Sequence, residues 1–347
     1  MIYSKHPKLS PFHHPSYIFF NTTFYKYQIY NEFLVDINMK VNFDKLPISI
    51  GGAILGITAM GNLVHDFFPY SREFCGIIAT LLFILVIIKL VKYPETFKED
   101  LNNPVLASII ATLSMAIMLL ANFIYPYTNY TIAISIWTFA VLLHICFVIN
   151  YILKFVLHFD ITDYTAGSFV VFAGIQMIAI SAPTFHQEFI GSIAFWFSFL
   201  CVVLVFITVS YRYIYKPVPE PTKPVIGVYA APFSLCAVGY LSSVSPNNFY
   251  MVMSFYIITK ILYVMVLAKF IQYWNKPFYP TYAAYTFPIV INAVTTLQTM
   301  KYLTSIGITL SYMQYELIIE IIIAIVLVSY VLINYLTAIF VVPRIRG

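Results

Sequence analysis

Five times along the 347-residue chain, an apolar segment rich in small and polar residues is followed by one built of bulky aliphatics. The first members begin near Pro47, Pro104, Ala166, Val225 and Pro280, so successive units start 57, 62, 59 and 55 residues apart. A period of that size marks a duplicated supersecondary unit. Apolar runs of membrane length make the unit a transmembrane helical hairpin. The expected spans lie near 47–68, 74–92, 104–125, 130–153, 166–184, 188–214, 225–244, 248–272, 280–300 and 314–341. At about 1.5 Å per residue, most of them reach across a hydrocarbon core about 30 Å thick. The expected fold class is all-α integral membrane, ten helices in five hairpins. Two compositional classes in strict alternation predict two layers, with the odd helices as an inner ring around a central pore.

Composition excludes the soluble alternatives. Hydrophobic residues make up 61% of the chain and charged residues 10%, against about 25% charged in soluble domains. Cys75, Cys146, Cys201 and Cys236 are widely spaced in apolar helices with no paired spacing, so neither a disulfide framework nor a zinc site is indicated. No metal and no cofactor is expected. The first 38 residues have no apolar core and no small-residue cleavage site, unlike a signal peptide. Residues 1–44 are expected to form an N-terminal extension, either lying outside a native start at Met39 or serving as a poorly ordered cytosolic arm. Residues 45–341 are expected to form the transport domain and 342–347 a short cytoplasmic tail.

Charge placement orients the spans. Thirteen Lys and Arg residues fall on the side that holds both termini, among them Lys45, Lys89, Lys154, Arg212, Lys223 and Lys276; only Arg72 and Lys301 fall opposite. The positive-inside rule then puts both termini in the cytoplasm of a cell-membrane protein. The net charge of +5 reflects this topology and gives no argument for nucleic acid.

The odd spans carry Gly52 and Gly56, Ser108 and Thr112, Gly174, Pro232 and Ser234, and Thr286, Pro288 and Asn292. These are the candidates for lining a lumen or kinking a helix. Small residues also let membrane helices approach closely, which leaves Gly52 and Gly56, at GxxxG spacing, open to a packing role. Proline inside a span removes a backbone hydrogen bond and bends the helix, which irregular backbone beside a lumen tolerates. A pore lined this way has almost no fixed charge and binds its ions weakly, as conduction requires.

Tyr282-Ala283-Ala284-Tyr285-Thr286-Phe287-Pro288, at the head of the ninth span, resembles the tellurite-resistance/dicarboxylate transporter family. That family includes bacterial tellurite-resistance anion channels, fungal malic acid transporters and plant slow anion channels. Segments of the first, third, seventh and eighth spans are similar too, and the resemblance covers about residues 45–340. It implies ten helices in five hairpins, odd helices around the pore, and a homotrimer with one pore per protomer. It also implies a pore occluded by a phenylalanine that falls on Phe287. The fifth span departs from the family: it has no proline near its middle, Pro183 lying at its far end.

Inside the membrane, Lys260 of the eighth span and Glu320 of the tenth are candidate buried charges, with Glu316 one turn before Glu320. Lys260 reads either as a source of positive pore potential or as an internal partner for Glu320; the two glutamates could also couple protons to transport. The seven histidines form no metal-binding or catalytic set, which argues against an intramembrane enzyme. The expected function is an anion channel or a C4-dicarboxylate, malate-type transporter for chloride, nitrate or malate-like anions. The alternative is proton-coupled export of dicarboxylate, tellurite or sulfite.

Overall fold

The computed structural model describes residues 46–340 and is helical throughout, with no strand among them. The expectations for residues 1–44, Met39 and 342–347 lie outside the described residues. Eight segments are long and apolar enough to cross a membrane. In chain order they are the second (Ser71–Lys92), third (Pro104–Tyr127), fourth (Tyr130–Val156), fifth (Ser168–Phe185), sixth (Glu188–Tyr215), seventh (Glu220–Ser243), eighth (Phe249–Tyr273) and tenth (Tyr312–Ile339). The first (Ile50–Val64) is shorter. The ninth combines a 3-10 stretch, Pro280–Tyr285, with the helix Phe287–Ser305, which is made polar by Asn292, Thr295, Thr296 and Thr299.

Local chemistry starts several of these helices. Asn103 caps the third, its side chain accepting from the Val105 and Leu106 amides, with Pro104 at the first helical position where an N–H would be wasted. Asn129 and Asn248 cap the fourth and eighth in the same way. Asn129 and Asn248 sit at the ends of short connections, whereas Asn103 follows a longer one that contains the short helix Pro94–Asp100.

Burial divides the segments as composition does. Between 78% and 89% of the apolar window is buried in the third, fifth and seventh segments, against 33% to 39% in the second, fourth, sixth, eighth and tenth. In the first, all but two of the residues are buried. The first segment packs on the third, the third on the fifth, the fifth on the seventh, the seventh on the ninth, and the ninth returns to the first. The second, fourth, sixth and eighth lean on this series from outside. The tenth does the same through Tyr335, whose hydroxyl donates to the Pro280 carbonyl (2.5 Å) and accepts from Ser49 Oγ (2.9 Å).

Small residues allow the odd segments to approach. A Cβ on Gly56 would lie 2.8 Å from Thr286 Cβ and 2.9 Å from the Phe287 amide nitrogen, and one on Gly227 would lie 2.6 Å from the Ala284 carbonyl oxygen. Backbone cannot retreat as a flexible side chain can, so Gly56→Ala is expected to be destabilising by about 1–3 kcal/mol, the usual range for overpacking. Thermal unfolding in detergent checks this; an unchanged midpoint would mean that the first and ninth segments part freely.

The odd segments are not uniform α-helices. Glu220–Ala230 and Pro280–Tyr285 are 3-10, and the α-helices proper begin at Pro232 and Phe287. Pro232 and Pro288 therefore stand in the first turn of a helix that follows a 3-10 stretch, not at mid-helix bends as the sequence led us to expect. Their missing N–H groups fall where an α-helix has no internal partner for them. The fifth segment is broken twice, by 3-10 turns at Ala173–Ile175 and Ala182–Phe185. Its centre is thus irregular without a proline, and Gly174, inside that break, lets the fourth and third segments come close. A Cβ there would lie 2.7 Å from His144 Cε1 and 2.9 Å from Met115 Sδ.

Candidate functional site

A cavity of about 560 Å³ lies among the odd segments and is bordered by no others. The first contributes Ser49, Gly52 and Leu55; the third, Ile109, Thr112 and Met115; the fifth, Phe169 and Val170. The seventh contributes Val225, Val228, Ala231 and Leu235, and the ninth Thr281, Ala283, Ala284, Phe287 and Pro288. Ser49, Thr112 and Thr281 bring the few side-chain hydroxyls of the wall.

The 3-10 conformation explains why a long apolar wall is available. With three residues per turn, side chains at i and i+3 eclipse, so Val225 and Val228 stand in one file that Ala231 ends, as do Thr281 and Ala284; Phe287 lies beyond its 3-10 stretch, at the start of the α-helix that follows. An α-helix would rotate successive members of these files away by about 60°, given 3.6 residues per turn. From Ala231 to Leu235 the spacing changes to four, where the α-helix has begun.

Except for Leu235, just past the middle of the seventh segment, the lining residues belong to the first halves of their segments, so the cavity sits toward the end where the odd segments begin. Phe287 with Pro288, Leu235, Met115 and Leu55 are the lining residues farthest along. Phe287 is 4% exposed. Its backbone is held on two sides, by the close approach of Gly56 and by the Thr286 hydroxyl, which is shared between the Ala283 carbonyl (2.6 Å) and the Gly52 carbonyl (2.8 Å). The ring is thus carried at the inner end of the cavity by a backbone with little freedom to move.

The sequence candidates separate into two groups. Gly52, Thr112, Phe287 and Pro288 border the cavity. Gly56, Ser108, Gly174, Pro232, Ser234, Thr286 and Asn292 do not, and instead make contacts between segments or begin helices. Ser108 is fully buried, donates to the Val105 carbonyl (2.7 Å) and packs against Gly167. Asn292 ties the ninth segment to the seventh, its amide donating to the Ala230 carbonyl (2.7 Å) and to Ser234 Oγ (3.0 Å). Thr295 adds a bond to the Ser234 carbonyl (3.2 Å). The Asn292 Oδ1 and Gln176 Oε1 atoms are buried without a partner.

Lys260 and Glu320 lie away from the cavity in a network between the eighth, ninth and tenth segments. Lys260 Nζ pairs with Glu320, lies 3.2 Å from Glu316 Oε1 and donates to Thr296 Oγ1 (2.6 Å). Thr296 in turn donates to Glu320 Oε2 (2.5 Å), and the Tyr256 hydroxyl donates to Glu316. Glu316, near the start of the tenth segment, is tied into this network as well. His144 is fully buried in the fourth segment; its Nε2–H donates to the Val171 carbonyl (3.1 Å), beside the 3-10 break of the fifth, and Nδ1 pairs with Ser114 Oγ (2.8 Å).

Sequence reasoning missed the two 3-10 stretches. Their signal was present: Pro219, Pro221 and Pro224 precede the seventh helix, and Pro277 and Pro280 the ninth. Closely spaced residues without an amide hydrogen favour a backbone that does not need α-helical bonding. No cluster of His, Cys, Asp or Glu able to hold a metal occurs among the described residues.

A family model described as a voltage-dependent anion channel, SLAC1, matches residues 45–340. No curated protein matches the chain.

Proposed function

We propose, from the premise that this chain belongs to the SLAC1 voltage-dependent anion channel family, that it conducts small anions along the axis of its odd segments. Membership makes it a multi-pass membrane protein of an anion channel and transporter family. On our reading all ten segments cross the bilayer, in five hairpins. The first and ninth fall short in length or hydropathy because their neighbours shelter them from lipid, so apolarity is not demanded of them. The positive-inside bias supports a cytoplasmic position for both termini and for the end where the odd segments begin, and we take the membrane to be the plasma membrane. Chloride, nitrate and malate-like dicarboxylates are the proposed substrates, and the homotrimer implied by the family resemblance is the proposed assembly.

The observation that carries this reading is the cavity itself, lined by the five odd segments alone and ending on Phe287. Its apolar wall offers an ion no tight binding site, and an aromatic ring across such a lumen blocks it by bulk and by keeping out water. We take Phe287 to be the occluding residue.

The test is flux into liposomes holding the purified protein. Chloride, nitrate or malate is expected to move down its own gradient at a rate independent of an imposed pH gradient. The competing reading, proton-coupled export of dicarboxylate, tellurite or sulfite, has one observation in its favour, the pair of carboxylates around Lys260. Transport that requires a proton gradient would establish it in place of ours, and no flux of any of these anions would sink both.

A further inference from the structure

A second pocket, of about 180 Å³, lies beside the open end of the cavity, where the 3-10 stretches Glu220–Ala230 and Pro280–Tyr285 pack against each other. Lys223 and Lys276 stand on its rim with Glu220 between them, and Tyr273, Tyr279 and Tyr282 form its wall. Two bonds fix this wall: the Thr281 hydroxyl donates to the Pro221 carbonyl (2.6 Å), and the Tyr282 hydroxyl to the Tyr273 carbonyl (2.8 Å). The alternation of faces sets the pocket next to the proposed pathway. Lys223 and Pro224 face it while Val225 faces the cavity, and Tyr282 faces it while Thr281 and Ala283 face the cavity.

The charges there are arranged around a carboxylate. Glu220 Oε1 lies 3.0 Å from Lys276 Nζ and Oε2 lies 3.9 Å from Lys223 Nζ, so each oxygen has its own ammonium. A monatomic anion has one centre to share, whereas this spacing fits a group with two oxygens. The three side chains are between 41% and 50% exposed, open to exchange with molecules in solution. Two cations and one anion leave the site with a net positive charge.

We propose that this pocket is a seat for the carboxylate of a small organic acid on its way into the cavity, and that Glu220 is a tethered competitor for it. The inference rests on the anion-transport reading and deepens it by naming a site outside the cavity, Lys223 and Lys276 around Glu220, where a carboxylate is first held. An incoming carboxylate displaces Glu220 from one or both lysines, gains local concentration from the positive charge, and sits one 3-10 turn from the cavity wall. When it moves on, Glu220 closes back over the lysines, so the seat releases what it collects.

The experiment is equilibrium binding of radiolabelled malate to the full-length purified protein in detergent at low ionic strength. Removing one contact charge changes a solvent-exposed interaction of this length by about fivefold in affinity. Glu220→Gln is therefore expected to tighten malate binding about fivefold, and Lys223→Gln with Lys276→Gln to weaken it by at least as much. Both differences are expected to vanish in molar salt. Tightening in Glu220→Gln cannot arise from misfolding, so it decides the matter even if the double variant folds poorly. Equal malate affinity in the wild type and both variants, or no malate binding by Glu220→Gln, overturns the proposal. The readout needs no conduction: a protein that binds malate in this pattern yet passes no anion would sink the transport reading and leave the seat standing. A protein that passes anions with unchanged malate affinity would sink the seat alone.

Discussion

Phe287→Ala is expected to raise anion conductance by at least about tenfold, the factor given by each ~1.4 kcal/mol removed from a barrier. The ring stands at the inner end of an apolar cavity, on a backbone clamped by Gly56 and by the Thr286 hydroxyl. Because the backbone there has little room to swing, the benzyl group itself must be the movable or removable part. Alanine leaves the clamp intact and takes away the ring we propose as the plug. Stability is expected to fall by less than the usual 3–5 kcal/mol for a buried phenylalanine, since one side of this ring faces open space. Phe287→Leu keeps much of the bulk and is expected to conduct little more than the wild type, which separates occlusion from a general loosening of the fold. Single-channel recording in planar bilayers, with wild type and both variants at equal protein density, is the measurement. Equal currents in wild type and Phe287→Ala would mean that the path runs elsewhere.

The second large effect concerns a site with no contact with the cavity. Lys260→Ala is expected to be destabilising by about 3–5 kcal/mol, the cost of stripping one partner from a buried ionic network. It would leave Glu316 and Glu320 facing each other among the eighth, ninth and tenth segments, with Glu320 only 3% exposed at its side chain. The thermal midpoint in detergent is expected to drop by about 5–10 °C, from the usual ratio of stability to midpoint in larger domains. Adding Glu316→Gln and Glu320→Gln to Lys260→Met removes every charge together. That triple variant is expected to regain most of the loss, because the penalty lies in an unmatched charge and not in the absence of an ion pair. A wild-type midpoint in Lys260→Ala would show that water reaches the network freely. The same variants bear on the alternative transport reading: a pH-independent flux that survives the triple substitution leaves these carboxylates a structural role only.

Much of the architecture was legible in the residues because a bilayer imposes strong, local demands. Every lipid-facing segment must be apolar along its length, so Ile77 to Val91 and Leu317 to Val328 announce themselves. The sheltered segments show the reverse, Gly52, Ser108, Gly174 and Ser234 taking the places of bulky aliphatics. The candidate site was legible in part. Phe287 was found through the string around it, and Gly52, Thr112 and Pro288 through their small or helix-breaking character. The same character drew in Gly56 and Gly174, which the structure uses for close approach to Thr286 and His144. A small residue reads identically in sequence whether it makes room for a neighbouring helix or for a passing ion, and only the position of the neighbour separates the two.

What the sequence by itself determined was the membrane class and the alternation of small-residue segments, which the structure buries, with bulky ones, which it leaves largely exposed. Each follows from the free energy of moving one segment into lipid, a quantity set by that segment alone. Tertiary structure alone decided which glycines line the cavity, that Lys260 spends its charge on two glutamates of the tenth segment, and that Lys223, Lys276 and Glu220 meet in one pocket. It also set the 3-10 stretches against each other so that every third side chain faces the same space. These outcomes depend on distances between residues 36 to 60 or more positions apart in the chain. Such distances are fixed by helix packing, on which the order of residues within any one span is silent.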